Sequence, residues 1–196
     1  MKILFASQNP HKLKEIRNIL QGFSIISLND LHDNDEVVED GKTFFENAFK
    51  KAHHFHQKYH IPVFSDDSGL VVKALNGDPG VHSARFSGQD VNYKRNNEFL
   101  LDKMKHEIDR EAYFVTVICF IDELGQTHYF EGQWKGIIAK EEKGEKGFGY
   151  DPLFFISSLG KTAAELTLSE KNEISHRALA LKQFHQYLID HFHKLL

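Results

Sequence analysis

Two adjacent carboxylates inside an apolar run are the clearest sign of chemistry in this 196-residue chain. The run is Val63-Phe64-Ser65-Asp66-Asp67-Ser68-Gly69-Leu70-Val71-Val72. Its apolar ends predict a buried strand, where an ionised carboxylate loses hydration unless it is paired, hydrogen-bonded or metal-bound. Asp66 and Asp67 therefore need cations. Hard oxygen ligands suit Mg²⁺, which takes one or two carboxylates and shares its remaining shell with water and substrate phosphate. The competing reading is a turn, because Asp-Asp-Ser-Gly is also good turn chemistry between two strands.

Further residues of phosphate chemistry are spread along the chain. Ser7, Asn9 and Lys12 lie where a short strand, Ile3 to Ala6, runs into a helix that carries Leu13, Ile16, Ile19 and Leu20 at helical spacing, with Pro10 near its first turn. Unpaired N–H groups at a helix N-terminus, with a hydroxyl, an amide and an ammonium beside them, favour an anion such as phosphate. The alternative is that Ser7 and Asn9 only cap the helix. No Walker loop is present, since the glycines and the Gly-Lys-Ser/Thr ending are missing.

Lys51 is a second candidate cation, on a helix expected from Thr43 to Tyr59 that opens with a Thr43/Glu46 capping box and shares the Lys51 face with Asn47. Upstream, Asp30 to Asp40 is an acidic loop. Glu39 is its best candidate to complete a Mg²⁺ shell begun by Asp67, because it lies beside the helix start. His53, His54, His56 and His60 have spacings compatible with zinc, but no His-Glu-x-x-His context accompanies them, so they read as surface residues.

Two later stretches suit a nucleotide. Gly147-Phe148-Gly149-Tyr150-Asp151-Pro152 sets aromatics between glycines, which can form a stacking platform for a planar base or, equally, an aromatic core turn. Lys171, His176 and Arg177 gather at the start of a last helix with Ala178, Leu181, Leu188, Phe192 and Leu195 inward, a third cationic cluster that fits a polyphosphate. Earlier in the chain, after the Asp-Asp stretch, Leu75-Asn76-Gly77-Asp78-Pro79-Gly80-Val81-His82-Ser83-Ala84-Arg85-Phe86-Ser87-Gly88 predicts a defined loop, either mobile over a site with Arg85 as an oxyanion partner or an ordered connection.

The elements that must position these groups are strands mixed with helices. A strand over Phe23 to Leu28, a helix over Asn92 to Glu107, a hairpin of Ala112 to Ile121 and Thr127 to Trp134, and an extension at Gly136 to Ala139 complete them. The length allows one domain or two joined lobes. A net charge of -4 argues against a general nucleic-acid or anionic-membrane surface. The single cysteine, Cys119, excludes an internal disulfide and reads as a buried thiol in a reducing compartment. No segment has the roughly 18 apolar residues of a membrane span, and Lys2 to Ala6 is too short for a signal-peptide core. A cytoplasmic location is the expectation.

Taken together, Ser7-Gln8-Asn9-x-x-Lys12, Ser65-Asp66-Asp67-Ser68-Gly69-Leu70, Pro79-Gly80-Val81-x-Ser83-Ala84-Arg85, Gly147-Phe148-Gly149-Tyr150-Asp151-Pro152 and Glu170-Lys171-Asn172-x-Ile174-Ser175-His176-Arg177 resemble the non-canonical purine nucleoside triphosphate pyrophosphatases, the inosine triphosphate and dITP/XTP pyrophosphatases. The resemblance implies an α/β fold with a long, curved mixed sheet flanked by helices and two lobes around a central active-site cleft. It also implies one pyrophosphatase domain over residues 1–196 and a homodimer. It makes Asp67 the catalytic residue, Asp67 and Glu39 the Mg²⁺ ligands, and Ser7, Gln8, Asn9, Pro10, His11, Lys12, Lys51, Ser68, Phe148, Gly149, Tyr150, Asp151, Lys171, His176 and Arg177 the substrate contacts. The chain departs from many bacterial members, which have Thr-Gly-Asn at Ser7-Gln8-Asn9 and, in some, a further Glu at Val38, a departure that leaves Glu36 as the alternative to Glu39 for the second Mg²⁺ ligand.

The expected reaction is Mg²⁺-dependent hydrolysis of a non-canonical purine nucleoside triphosphate between the α- and β-phosphates. A nucleotide-binding protein without hydrolysis would share the cations but has no need of Asp66-Asp67. A phosphatase of another substrate would keep the acids and alter the base pocket.

Overall fold

The structure, a computed structural model, describes residues 2–192. Its strands are β1 (Lys2–Phe5), β2 (Ser24–Ser27), β3 (Val63–Val72), β4 (Glu111–Ile121), β5 (Thr127–Ile138), β6 (Phe154–Ile156) and β7 (Lys161–Thr162). The helices are α1 (Pro10–Ile19), α2 (Phe44–Tyr59), α3 (Tyr93–Lys103), α4 (Leu168–Ile174) and α5 (His176–Phe192). The strands follow the sheet order β2-β1-β3-β4-β5-β6-β7. The sheet is mixed, as expected: β1 pairs in parallel with β2 and β3, whereas β6 is antiparallel to β5 and β7.

The chain divides into two compact units. Unit 1 comprises residues 1–67, 116–132 and 177–196, and unit 2 comprises 68–115 and 133–176. In unit 1, Ile16 and Leu20 of α1 and Ala180, Leu181, Phe184 and Leu188 of α5 pack with Ile3, Phe5, Phe64, Ile118 and Phe120 from the strands. Phe64 stands 4.9 Å from Phe5 and 5.1 Å from Phe184, ring to ring. Each such fully buried side chain contributes about 1.5–3 kcal/mol of transfer free energy. The Phe192 side chain and Leu195, expected on the same helix face, lie outside the described residues. Unit 2 has its own core, in which Leu70 and Val72 of β3 meet Leu100, Met104, Phe114, Trp134, Tyr150, Phe154 and Leu166.

Several boundaries differ from the pattern-based expectation, each for a local reason. Asp66-Asp67-Ser68-Gly69 is not a turn: all four lie within the ten-residue strand β3, where every residue but Ser68 and Val71 is buried. β5 runs unbroken from Thr127 to Ile138, so the extension expected at Gly136 belongs to it. At α2, the Glu46 N–H donates to the Thr43 hydroxyl, but the Glu46 carboxylate accepts from Lys42 N rather than from Thr43 N. Only half of the expected capping box forms. The last helix starts later than its motif suggests, because Thr167 and Glu170 form a complete capping box for the short α4, and Ser175, in an extended conformation, separates it from α5. Cys119 is buried, and burial pushes its thiol up to about 12.

Candidate active site

In unit 1 the phosphate-type residues converge on β3. Side chains alternate along a strand, so consecutive Asp66 and Asp67 leave its backbone in opposite directions. Asp66, 2% exposed, meets cations from two helices: Lys12 Nζ lies 2.9 Å from Oδ1 and Arg177 Nε 3.3 Å from Oδ2. Lys51 Nζ donates to the Asp66 carbonyl at 2.7 Å and to Glu39 Oε2 at 3.0 Å. Burial alone would raise the Asp66 carboxyl, but Lys12, Arg177 and Lys51 outweigh it and hold it far below the usual carboxylate range. Asp66 thus favours its ionised form and pairs with the cations around it.

Asp67 is different. Its Oδ2 accepts from Asn47 Nδ2 at 3.1 Å, and Asn47, whose Oδ1 takes the Gly41 N–H at 2.8 Å, is held in turn. Burial raises the Asp67 carboxyl above its ordinary value, with a further push from Glu39, against the pull of Lys51 and Lys12. A buried, oriented and unusually basic carboxylate is what general-base chemistry needs. Lys12 is lowered by burial, with Asp66 opposing the shift, whereas Lys51 is raised because Glu39, Asp67 and Asp66 outweigh its desolvation.

The first motif is arranged around α1. Asn9 does cap the helix: its Oδ1 accepts from His11 N at 2.9 Å and Lys12 N at 3.3 Å, and Ser7 Oγ accepts from Asn9 N at 3.2 Å. Pro10 opens the helix, and Gln8 Nε2 donates to the Asp33 carbonyl at 3.1 Å. Capping occupies the Asn9 carbonyl oxygen, while an amide's donors are on its nitrogen. Asp33 is not part of a solvated acidic face: it is buried and accepts from Lys58 Nζ at 2.8 Å and Tyr59 Oη at 2.5 Å.

Unit 2 assembles the aromatic loop. Gly147 has φ +77°, and a side chain there would collide with the Asp151 carboxylate. That carboxylate accepts from Phe148 N at 2.9 Å and from Lys171 Nζ at 2.6 Å, with both charged partners buried. Lys171 Nζ also stands 5.2 Å from the centre of the Phe148 ring. Lys171, expected in a cluster for polyphosphate, is therefore attached to the loop proposed for the base. His176 stacks on Phe114 at 4.8 Å, with Trp134 at 6.4 Å and nearly parallel to it. Arg177, next in sequence, is ion-paired with Glu15 and Asp66 in unit 1. Ser68 follows Asp67 in β3 and is half-buried.

Sequence reasoning missed Glu15, Asn97 and any role for Ser83. Glu15 carried a usable signal, since Lys12, Glu15, Ile16 and Ile19 fall at 0, 3, 4 and 7 along α1 and so share its inward face. Asn97 Nδ2, from α3, donates to the Gly149 carbonyl at 3.2 Å and Glu142 Oε1 at 2.7 Å, a tertiary contact with no sequence signal. Among the described residues no three His, Cys, Asp or Glu groups converge as a ready-made metal site, and the helix histidines bind elsewhere: His54 to Asp35, and His56 to the Ile61 carbonyl. A Mg²⁺ ion that draws most of its shell from water and phosphate needs no such cage, and the hard-oxygen pair Asp67 and Glu39 suits it.

A family model described as the Ham1 family matches residues 3–187. The chain is 44% identical to a dITP/XTP pyrophosphatase of Thermoanaerobacter sp. over 194 residues, covering 96% of this chain and 97% of that relative. It is 46% identical to a dITP/XTP pyrophosphatase of Clostridium perfringens, covering 93% and 94%. Its fold superposes on the Staphylococcus aureus Ham1 protein with a TM-score of 0.90 at 38% identity, covering 97% of this chain and 99% of the other. A dITP/XTP pyrophosphatase from Mycobacterium abscessus gives a TM-score of 0.78 at 42% identity, covering 94% and 98%. A match this long, carried through the residues of both clusters, places the chain in the Ham1 family.

Proposed function

We propose that this protein is a nucleoside triphosphate pyrophosphatase that hydrolyses non-canonical purine nucleotides, dITP/ITP and dXTP/XTP, to the monophosphate and pyrophosphate, and so cleanses the nucleotide pool. The observation that carries the reading is Asp67: a buried carboxylate oriented by Asn47 and adjoining a cluster built from Lys12, Lys51 and Asp66. The names of the relatives point to the same activity.

In this mechanism Asp67 orients the attacking water and takes its proton. Lys12 and Lys51, preset by Asp66, stabilise the phosphoryl oxygens as charge builds, usually the largest catalytic contribution in such chemistry. Ser7, Asn9, Pro10, His11 and Ser68 line the phosphate and sugar side, with Gln8 steadying their loop through Asp33. Asp67 and Glu39 would hold Mg²⁺, which when bound neutralises the triphosphate and acidifies water. Phe148 stacks on the base, with Gly149, Tyr150, Asp151, Lys171, His176 and Arg177 as its remaining surroundings. Donors such as the Lys171 ammonium suit the O6 acceptor of hypoxanthine and xanthine, where adenine presents an N6 donor. A site built for that acceptor can reject its analogue by about 10⁴ or more.

The same reading takes residues 1–196 as one pyrophosphatase domain acting in the cytoplasm as a homodimer, without nucleic acid or membrane partners. In support, the net charge is -4, and no described helix is long and apolar enough to cross a membrane. The homodimer rests on the family resemblance alone.

The test is incubation of the purified protein with dITP and Mg²⁺ beside matched dATP and dGTP, with identification of the phosphate released. Pyrophosphate from dITP, lost on adding EDTA, is the expected result. Orthophosphate, or equal hydrolysis of all three, overturns it.

A further inference from the structure

We propose that Ser83 is a positioning residue for purine selection, joining the strand that carries Ser68 to the loop that carries Tyr150. The proposal rests on the reading of Gly147 to Asp151 as the purine loop. Ser83 is 7% exposed and uses both its side chain and its backbone. Its Oγ accepts from Leu70 N, two residues past Ser68 in β3, at 2.8 Å and donates to the Gly80 carbonyl at 2.6 Å. Its carbonyl accepts from Tyr150 Oη at 2.8 Å and Asn96 Nδ2 at 3.4 Å.

The surroundings make this connection stiff. Asn96, 1% exposed, also donates to the Ala84 carbonyl at 3.0 Å, and its Oδ1 accepts from Ser87 N at 2.9 Å and Ser87 Oγ at 2.7 Å. The adjacent Asn97 holds the Gly149 carbonyl. One turn of α3 thus pins both the 80–87 segment and the purine loop. Burial pushes the Tyr150 phenol far up, so it stays protonated and remains a donor across any assay range. The 75–88 stretch, read from sequence as either a mobile cover or an ordered connection, is an ordered connection with a helical turn over Gly80–Arg85, and Arg85 is exposed.

Ser83 therefore sets the spacing between β3 at Ser68 to Leu70 and the Tyr150 ring. For a seated 6-oxopurine that spacing sets where the rest of the nucleotide meets Ser68, and a displacement of about 1 Å can cost roughly 10² in rate. A purine that does not seat in the loop has no such placement to lose.

Kinetics of Ser83→Ala, Tyr150→Phe and the double variant on dITP and dATP test this. Expected are losses of about 10- to 100-fold in dITP kcat/KM, mainly in kcat, with dATP turnover changed less than about threefold. The dITP preference then falls by about the same factor, and the double variant is about as impaired as the worse single one, because both act through one connection. Equal losses on both nucleotides, or additive losses, overturn the proposal. Should Ser83→Ala fail to fold, Tyr150→Phe, which deletes a single oxygen atom, decides by the same ratio. A wild-type enzyme with no dITP preference overturns the purine reading itself, a separate outcome that needs no variant.

Discussion

Asp66 and Asp67 are consecutive in one strand and carry opposite shifts: ion pairs hold Asp66 far below the carboxylate range, and burial lifts Asp67 above it. Strand alternation is the cause, since it sends one side chain to Lys12 and Arg177 and the other to Asn47.

The two carboxylates should therefore respond oppositely to the same change. Asp66→Asn leaves Lys12 and Arg177 short of a buried partner, which costs about 3–5 kcal/mol. At roughly 2–4 °C per kcal/mol for a chain of this size, melting should fall by about 6–20 °C. Asp67→Asn removes a charge that the fold disfavours, so Tm should hold or rise while dITP turnover drops by at least about 10³. Calorimetry beside a pyrophosphate assay separates them, and equal destabilisation by both would be wrong for this site.

The Lys171–Asp151 pair gives a rescue experiment. Lys171→Met strands a buried carboxylate and should cost about 3–5 kcal/mol, whereas Lys171→Met with Asp151→Asn removes both charges and should recover much of that stability. Neither variant should recover dITP selectivity if Lys171 is the O6 donor proposed above. Denaturant midpoints and the dITP/dATP ratio report the two effects independently.

Acid stability should depend on Asp33. Burial pushes its carboxyl up, but Lys58, Tyr59 and the Asp35 N–H overcome this and hold it at about 2. With the folded pKa depressed, the stabilisation is present above the unfolded value, near 3.9, and is lost as pH falls toward about 2. Asp33→Asn should melt below the wild type at pH 7, and the gap should close by about pH 2. A gap independent of pH would remove Asp33 from the account.

Metal demand provides a check on Glu39. Glu39→Gln keeps the size and removes a hard anionic donor, so the Mg²⁺ concentration for half-maximal dITP hydrolysis should rise about 10- to 100-fold, with the rate at saturating Mg²⁺ much less affected. Because Lys51 loses its Glu39 partner in the same variant, Lys51→Met serves as the control: it should lower the rate without a comparable Mg²⁺ shift.

The elements and the chemical inventory were legible in the residues alone. Apolar spacing placed α1, α3 and the β4–β5 hairpin to within a few residues, the Thr43/Glu46 capping signal placed α2, and hydrophobic flanks marked Val63 to Val72 as a buried strand, because burial of apolar side chains and helix capping are local properties of the pattern. It also supplied the carboxylates, the lysines and the aromatic loop as separate stretches. Their partners came from the packing of the folded chain. Whether Asp66 or Asp67 would take the lysines, whether Lys171 would face a phosphate or Asp151, that Glu15 would meet Arg177 from 162 residues away, and that Ser83 would join β3 to Tyr150 all depend on which side chains the packed chain brings within hydrogen-bond reach. Charge and hydrogen-bond energies fall away within a few ångströms once water intervenes, so residue types and spacing fix what can pair, and the fold chooses which pairs form.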